Sequence, residues 1–293
     1  MKTAVWLVPL VAALLLGLGG SVLAVGLRLS SPRPAIVGAP PASLPTAQTV
    51  EFPSESGSIL RGWWVPGGPP SQGAVVLMHG VWETRLRMAQ RARVLQHQGF
   101  SVLLFDFQAH GESPGHRITF GQLEALDAAA AVSFVRGRLP GTRVGAIGAS
   151  LGGAAALLGD TPLAVEALVL ESVYPTMDAA LSNRLRARLG QAASLLVPVF
   201  NLLLPPVLGV RPDQLRPVDR IGAVAAPLLV LSGAEDDRTP LTEALSLFDQ
   251  APEPKMFWAV EGAAHVDLEH HEPRRYWSKV LPFLTQHLRA PGG

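Results

Sequence analysis

The chain contains no cysteine. This absence excludes disulfide bonds, thiolate zinc sites, a cysteine nucleophile and a lipidated N-terminal cysteine, and it leaves the redox compartment open. The chain also lacks an excess of positive or negative charge, because it has 24 basic and 23 acidic side chains and a formal net charge of +1. Nothing in this balance indicates a nucleic-acid or other polyanionic partner.

Apolar residues are abundant, at 48% of the 293 residues. A chain of this length and composition can bury a large core, and one α/β domain of about 250 residues is favoured over two small ones. We place this domain at residues 46–290.

The amino terminus differs from the rest of the chain, because no charged residue occurs from Thr3 to Leu27. About 20 apolar residues suffice to cross a bilayer as a helix, whereas the core of a signal peptide has about 7 to 15. We therefore predict a single-pass membrane anchor at residues 1–29. A cleaved signal peptide is the alternative, since residues 22–24 offer small side chains to a signal peptidase.

A proline-rich stretch, residues 30–45, follows this apolar run. Proline cannot continue a helix or lie in a central strand, so we predict a linker here. A stalk of this kind favours an extracytoplasmic position for the catalytic domain.

Strands and helices alternate through residues 46–290. Continuous apolar strands between helices predict a mostly parallel sheet covered on both faces. The expected strands are Thr49–Phe52, Ile59–Val65, Ala74–Met78, Phe100–Phe105, Thr142–Ile147, Ala167–Leu170, Pro227–Leu231 and Lys255–Val260.

One segment, residues 174–220, interrupts this alternation because it contains no strand pattern. Its length and apolarity suit a helical lid over the carboxyl edge of the sheet, and ordinary core-packing helices are the alternative reading. A lid with an apolar inner face would imply an apolar or acyl substrate.

Residues 148–152 match the pattern G-x-S-x-G, with Ser150 at its centre. An apolar strand precedes this segment and a helix of small residues follows it. A serine on such a sharp turn has a strained backbone, and flanking glycines are needed because a Cβ would clash there. The pattern alone is equally typical of a plain glycine-rich turn, but its position between strand and helix favours Ser150 as a nucleophile.

A serine nucleophile needs a base to accept its proton and a carboxylate to orient that base. Three adjacent acids, Glu235, Asp236 and Asp237, follow one expected strand, and His265 follows the last strand. The order serine, acid, histidine is that of a hydrolase triad, which predicts His265 as the base. The alternative for the acids is to cap the helix that starts near Pro240, a role that suits Asp237.

Two further features concern the same region. The backbone N–H groups of Val81 and Leu151 are expected to bind the oxyanion. Val81 lies in the loop after a predicted strand, and Leu151 begins the helix that follows Ser150.

A metal site at His265, Asp267, His270 and His271 is not favoured, since two adjacent histidines cannot share a helical face.

Taken together, these motifs resemble those of the α/β-hydrolase superfamily, and in particular its membrane-anchored serine hydrolases of the ABHD-type and dipeptidyl-peptidase-like esterase branch. The resemblance extends from about Val50 to Leu288. The motifs that carry it are His79-Gly80, Asp106–Ser113, Gly148–Gly152, Gly233-x-x-Asp236-x-x-x-Pro240 and Gly262-x-x-His265.

The resemblance implies an α/β-hydrolase fold with a helical lid insertion at 174–220, and no cofactor or metal. It also implies that Asp236, three residues after Gly233 and four before Pro240, is the acid, and that Ser113 is structural. We expect hydrolysis of an ester, thioester or amide of an apolar or lipid-like acyl substrate through an acyl-enzyme. A peptidase or acyltransferase on the same fold is an alternative, and an inactive membrane-tethered binding protein is an alternative of another class.

Overall fold

A computed structural model describes residues 16–17, 19–69, 72–203 and 205–289. Its centre is an eight-stranded sheet in the order β2-β3-β5-β4-β7-β8-β9-β10, in which β3 is antiparallel to both neighbours and every other pair is parallel. A mostly parallel sheet is confirmed. The strands are β1 (Arg33–Pro34), β2 (Gln48–Pro53), β3 (Ile59–Val65), β4 (Ala74–Met78), β5 (Ser101–Phe105), β6 (His110–Gly111), β7 (Val144–Ala149), β8 (Ala167–Glu171), β9 (Leu228–Gly233) and β10 (Lys255–Val260).

Helices cover both faces of the sheet. An amino-terminal helix, α1, occupies residues 19–30. The others are α2 (Ala89–His97), α3 (Gln122–Arg138), α4 (Leu151–Leu158), α5 (Met177–Leu189), α6 (Val197–Leu203), α7 (Pro205–Leu208), α8 (Leu241–Gln250), α9 (Leu268–His271) and α10 (Pro273–Leu288). Helices α3, α4 and α8 pack on one face, and α2 and α10 pack on the other.

Strand β4 shows why the central strands are apolar without interruption. Successive side chains of a strand point to opposite faces. Val76 and Met78 lie in the core under α3 and α4, whereas Val75 and Leu77 lie in the core under α2 and α10. All of these positions are therefore buried, and an alternating polar pattern is absent from the strand.

The predicted membrane anchor is wrong. None of the helices in the described part of the chain combines the length and apolarity needed to cross a bilayer. Helix α1 instead packs on the domain, with Val22, Gly26 and Ser30 buried. Residues 1–15 and 18, also included in that prediction, lie outside the described residues. The predicted localisation, a single-pass membrane protein with an extracytoplasmic domain, is corrected accordingly.

Residues 30–45, expected to form a linker, lie against the domain. Strand β1 pairs in parallel with β6, and Leu44 is buried. The backbone N–H groups of Val37 and Gly38 donate to Oε1 of Glu112, at 3.1 and 2.8 Å. These contacts hold the segment next to the residues that follow β5 at the carboxyl edge of the sheet.

Asp127 on α3 is a fully buried carboxyl group. Its Oδ1 accepts hydrogen bonds from the hydroxyls of Ser54 and Ser56, both at 2.6 Å, and its Oδ2 accepts one from the backbone N–H of Gln108 at 2.8 Å. Burial nevertheless raises the pKa of Asp127 to about 7, because it penalises the charged form more than the hydrogen bonds favour it.

This pKa predicts a pH dependence of stability. The folded state retains a proton that the unfolded state releases near pH 4, so the stabilising contribution is complete below about pH 4 and is lost as pH rises through 7. Asp127→Asn removes the titration. We expect the unfolding free energy of the wild type, measured in urea, to fall relative to that of the variant by about 2 kcal/mol between pH 5 and 7. A difference that is independent of pH contradicts the assignment.

Candidate active site

Ser150 stands on the turn between β7 and α4, with φ 49° and ψ −105°. An L-residue rarely adopts this conformation. A Cβ at Gly148 would lie 2.6 Å from the backbone carbonyl carbon of Gly152, and a Cβ at Gly152 would lie 2.5 Å from the carbonyl oxygen of Met78. Both glycines are therefore needed for the turn to pack between β4 and α4.

Asp236 lies in the loop after β9, and its side chain is fully buried. Its Oδ1 accepts hydrogen bonds from the backbone N–H groups of Arg238 and Thr239, at 2.9 and 2.8 Å. Its Oδ2 lies 2.8 Å from Nδ1 of His265. The loop thus fixes one carboxylate oxygen and presents the other to the imidazole.

The neighbouring acids have other environments. Glu235 and Asp237 are exposed. Helix α8 begins at Leu241 with Pro240 as its N-cap and no side-chain capping bond, so the alternative that Asp237 caps this helix does not match the structure. Asp236 is the acid that contacts His265.

Ser150 and His265 line the same cleft. In the described part of the chain, no hydrogen bond joins the Ser150 hydroxyl to the imidazole, whose side chain is 15% exposed. Catalytic hydrogen bonds of this kind often tighten only when substrate binds. The imidazole therefore has its carboxylate partner in place and lines the cleft that contains Ser150.

The loop after β4 lies beside Ser150. A Cβ at Gly80 would lie 3.8 Å from Cβ of Ser150, and the N–H of Gly80 donates to Oε2 of Glu83 at 2.9 Å, which holds the loop. The backbone N–H groups of Val81 and Leu151 have no acceptor among the described residues. Two unpaired donors at this position suit a developing oxyanion.

His79 in the same loop is structural. Its Nδ1 donates to the carbonyl of Gly80 at 2.7 Å, and its Nε2 accepts from the N–H of Phe107 at 3.1 Å. Burial, together with the nearby His110, lowers the pKa of His79 to about 3. The ring is thus neutral and has both nitrogen atoms engaged.

A buried ion network supports this loop, and sequence reasoning missed it. The guanidinium of Arg85 pairs with the carboxylates of Asp106 and Glu112, and it lies 4.7 Å over the ring of Trp63. Glu112 in turn accepts the hydrogen bonds that hold residues 37–38. The hydroxyl of Ser113 donates to the carbonyl of Asp106 at 2.6 Å, which gives Ser113 a structural position.

A second missed network surrounds Arg91. Its guanidinium contacts Glu171 at 2.8 Å and Asp267 at 2.7 Å, and Tyr276 lies beside it. Asp267 also caps α9 by accepting from the N–H groups of Glu269 and His270. Asp267 is thereby committed to structure, and the described residues contain no group of three His, Asp or Glu side chains arranged to hold a metal ion.

Two cavities meet at Ser150. The apolar cavity receives side chains from α1, from the loop after β4 and from residues 174–220; its lining includes Leu29, Phe120, Met177, Leu181, Leu208 and Leu215. The polar cleft has charged side chains in its lining, which includes Glu83, Arg91, Arg184, Arg238, His265 and Asp267. Val81 and Arg184 border both spaces. His265 lines only the polar cleft.

Comparison with known proteins supports the assignment of the fold. The family model described as "Serine aminopeptidase, S33" matches residues 69–215. The uncharacterized protein Rv2307c of Mycobacterium tuberculosis is 32% identical over 250 residues, covering 83% of this chain and 81% of that protein. The chain belongs to the α/β-hydrolase superfamily.

Two further similar proteins support the same superfamily and fold for this α/β hydrolase. The alpha/beta hydrolase domain-containing protein WAV2 of Arabidopsis thaliana is 25% identical over 248 residues, covering 80% of this chain and 77% of WAV2. Among solved structures, the Pyrococcus furiosus esterase Pf2001 aligns with a TM-score of 0.72 and 26% identity, covering 88% of this chain and 98% of the esterase. The predicted fold class is confirmed by these similarities and by the sheet.

The geometry of the turn at Ser150 predicts the effect of Gly152→Ala in this hydrolase. The new methyl group would meet the Met78 carbonyl, so β4 and α4 must separate, and we expect a loss of about 2 kcal/mol or more in unfolding free energy together with loss of hydrolase activity. Gly137→Ala on α3 is the matched control, because a Cβ there meets nothing within 4 Å. Alanine in a helix should stabilise that variant by about 0.5–1 kcal/mol. Equal stability of the two variants in urea unfolding contradicts the packing argument.

Proposed function

We propose that this hydrolase cleaves an ester or thioester of an apolar acyl group through an acyl-enzyme intermediate. Ser150 attacks the carbonyl carbon while His265 accepts the hydroxyl proton, and Asp236 orients the imidazole and stabilises its charged form. The N–H groups of Val81 and Leu151 bind the oxyanion. Water, activated by His265, then attacks the acyl-enzyme.

The observation that carries this proposal is the 2.8 Å contact between Asp236 and His265 at a cleft that Ser150 also lines. The buried carboxylate accepts from Nδ1, which leaves Nε2 of the imidazole as the proton acceptor. The strained backbone of Ser150 supports the same role, because strain of this kind concentrates at functional sites.

The apolar cavity supports an acyl substrate. One wall comes from α5, α7 and the loop after it, within residues 174–220, which we propose as a lid, and another comes from Gly26 and Leu29 of α1. Trp82 connects the loop after β4 to α1, because its Nε1 donates a hydrogen bond to the carbonyl of Leu29 at 3.1 Å. An aliphatic chain placed here leaves water for an apolar surface, which favours binding.

Esterase activity is favoured over aminopeptidase activity. The similar Pyrococcus furiosus protein is an esterase, whereas the family model carries the name of a serine aminopeptidase. A free amino terminus requires an unpaired carboxylate near the scissile bond. The carboxylates of the polar cleft, Glu83, Glu171 and Asp267, are each paired with an arginine.

Ser150→Ala tests the nucleophile. We expect kcat for p-nitrophenyl butyrate to fall by at least about 10³-fold, with the residual rate due to the oxyanion donors, and labelling by a fluorophosphonate probe to disappear. Ser278→Ala, which removes an exposed hydroxyl on α10, should retain both activity and labelling. A folded wild-type protein that neither labels nor hydrolyses any ester overturns the proposed function. Rates with added alcohol acceptors separate hydrolysis from acyl transfer.

Leu29→Trp tests the acyl cavity. The larger ring should fill part of the cavity and lower kcat/KM for the octanoyl ester about tenfold relative to the butyryl ester. Leu27→Trp is the matched control on the same helix, because Leu27 is exposed and does not line the cavity. An unchanged ratio of octanoyl to butyryl hydrolysis in Leu29→Trp contradicts the placement of the acyl chain.

A further inference from the structure

The polar cleft beside Ser150 contains more positive charge than its carboxylates balance. Arg87 pairs with Glu83 at 3.2 Å, and Arg91 pairs with Glu171 and Asp267 at 2.8 and 2.7 Å. The lining therefore has four arginines and three carboxylates, a formal charge of +1, and all three carboxylates contact Arg87 or Arg91. None of them forms an ion pair with the remaining arginines.

Those remaining arginines are Arg184 on α5 and Arg238 in the loop after β9. In the described part of the chain, neither guanidinium lies within 4 Å of a carboxylate, and Arg184 donates one hydrogen bond to the carbonyl of Ala180 at 3.0 Å. The carboxylate of the nearby Asp236 contacts His265 and two backbone N–H groups rather than either guanidinium. Its charge raises the pKa of Arg184, but by less than burial and Arg238 lower it. Two cations from separate elements thus face the cleft together.

Their mutual effect is unfavourable without an anion. Burial lowers the pKa of Arg184, and the positive charge of Arg238 lowers it further. A guanidinium stays protonated in proteins, so this repulsion persists. An anion between the two groups would relieve it and form charge-assisted hydrogen bonds with both.

The reaction places the leaving group in this cleft. When the bond from Ser150 Oγ to the acyl carbon has formed, His265 gives its proton to the leaving oxygen or sulfur as the bond from that atom to the acyl carbon breaks. The leaving group must therefore lie near His265, which lines the polar cleft and not the apolar cavity. The acyl chain of the proposed substrate then occupies the apolar cavity.

We propose that Arg184 and Arg238 bind an anionic group on the leaving alcohol or thiol. The substrate class is then an apolar acyl ester or thioester whose leaving group carries a carboxylate or phosphate near the scissile bond. This inference rests on the proposed function. Arg184 borders both spaces, so it lies where the acyl and leaving halves of such a substrate meet.

Two esters that differ by one carboxylate test the proposal, 4-nitro-3-(octanoyloxy)benzoate and 2-nitrophenyl octanoate. The ratio of their kcat/KM values, each corrected for spontaneous hydrolysis, is the readout. We expect the wild type to favour the anionic ester by about tenfold, in line with a charge-assisted hydrogen bond at a partly exposed site. Added salt should reduce this preference.

Variants of the two arginines test whether they cause the preference for the anionic ester. Arg184→Gln and Arg238→Gln should each reduce the ratio by about threefold or more, and the double variant should abolish the preference. Arg274→Gln, at an exposed position of α10 outside the cleft lining, is the control and should leave the ratio unchanged. Since Arg238 is exposed, its replacement keeps the test valid if Arg184→Gln does not fold.

The outcomes separate the two proposals. Hydrolysis of the neutral ester with no preference for the anionic one overturns the anion site and leaves the serine hydrolase intact. A preference that survives in the double variant, or that falls equally in Arg274→Gln, also overturns it. A folded protein inactive on both esters refutes the proposed function itself.

Discussion

The close approach of β4, β7 and α4 at Ser150 is the constraint on which the site depends. Gly152 lies so near the carbonyl of Met78, and Gly148 so near the backbone of Gly152, that a Cβ at either position has no space. This packing holds Ser150 at a positive φ and exposes its hydroxyl at the carboxyl edge of the sheet. A relaxed turn would place the hydroxyl elsewhere, and neither cavity would then meet it.

The other groups reach this edge through sheet topology. The acid loop follows β9 and the histidine loop follows β10, and these adjacent parallel strands end together. Their common direction brings Asp236 and His265 into contact although 29 positions separate them in the chain. Backbone donors in the acid loop fix one carboxylate oxygen, so the orientation of the imidazole is set before any substrate arrives.

The environment of Ser150 is divided between two kinds of surface. Aliphatic side chains from α1 and from residues 174–220 line one side, and arginines line the other. An acyl group and an anionic leaving group, the two halves of the substrate that we propose, have opposite solvation requirements, which such a division would meet. The network of Arg85, Asp106 and Glu112 connects the segment after β4 with residues 37–38, so the same ions support the site and hold the amino-terminal segment.

Much of the fold was predictable because strand and helix periodicity is local. The continuous apolar strands, the glycines around Ser150 and the order of serine, acid and histidine each lie in short stretches of sequence. The networks of Arg85 and Arg91 were not predictable, because their partners come from distant segments and an isolated arginine carries no signal of burial. The choice among the three adjacent acids depended on the resemblance to known hydrolases, and the loop conformation supplies its physical reason.

The amino-terminal segment shows most clearly the difference between what the sequence determines and what the tertiary structure determines. Its apolarity is a property of the sequence, and hydropathy alone is compatible with lipid or protein as the surroundings of a helix. Only the tertiary structure decided that Val22, Gly26 and Leu29 of α1 face the domain and the apolar cavity. The apolar composition of a segment determines that its burial is favourable. Which surface buries it depends on the shape and chemistry of the rest of the folded chain.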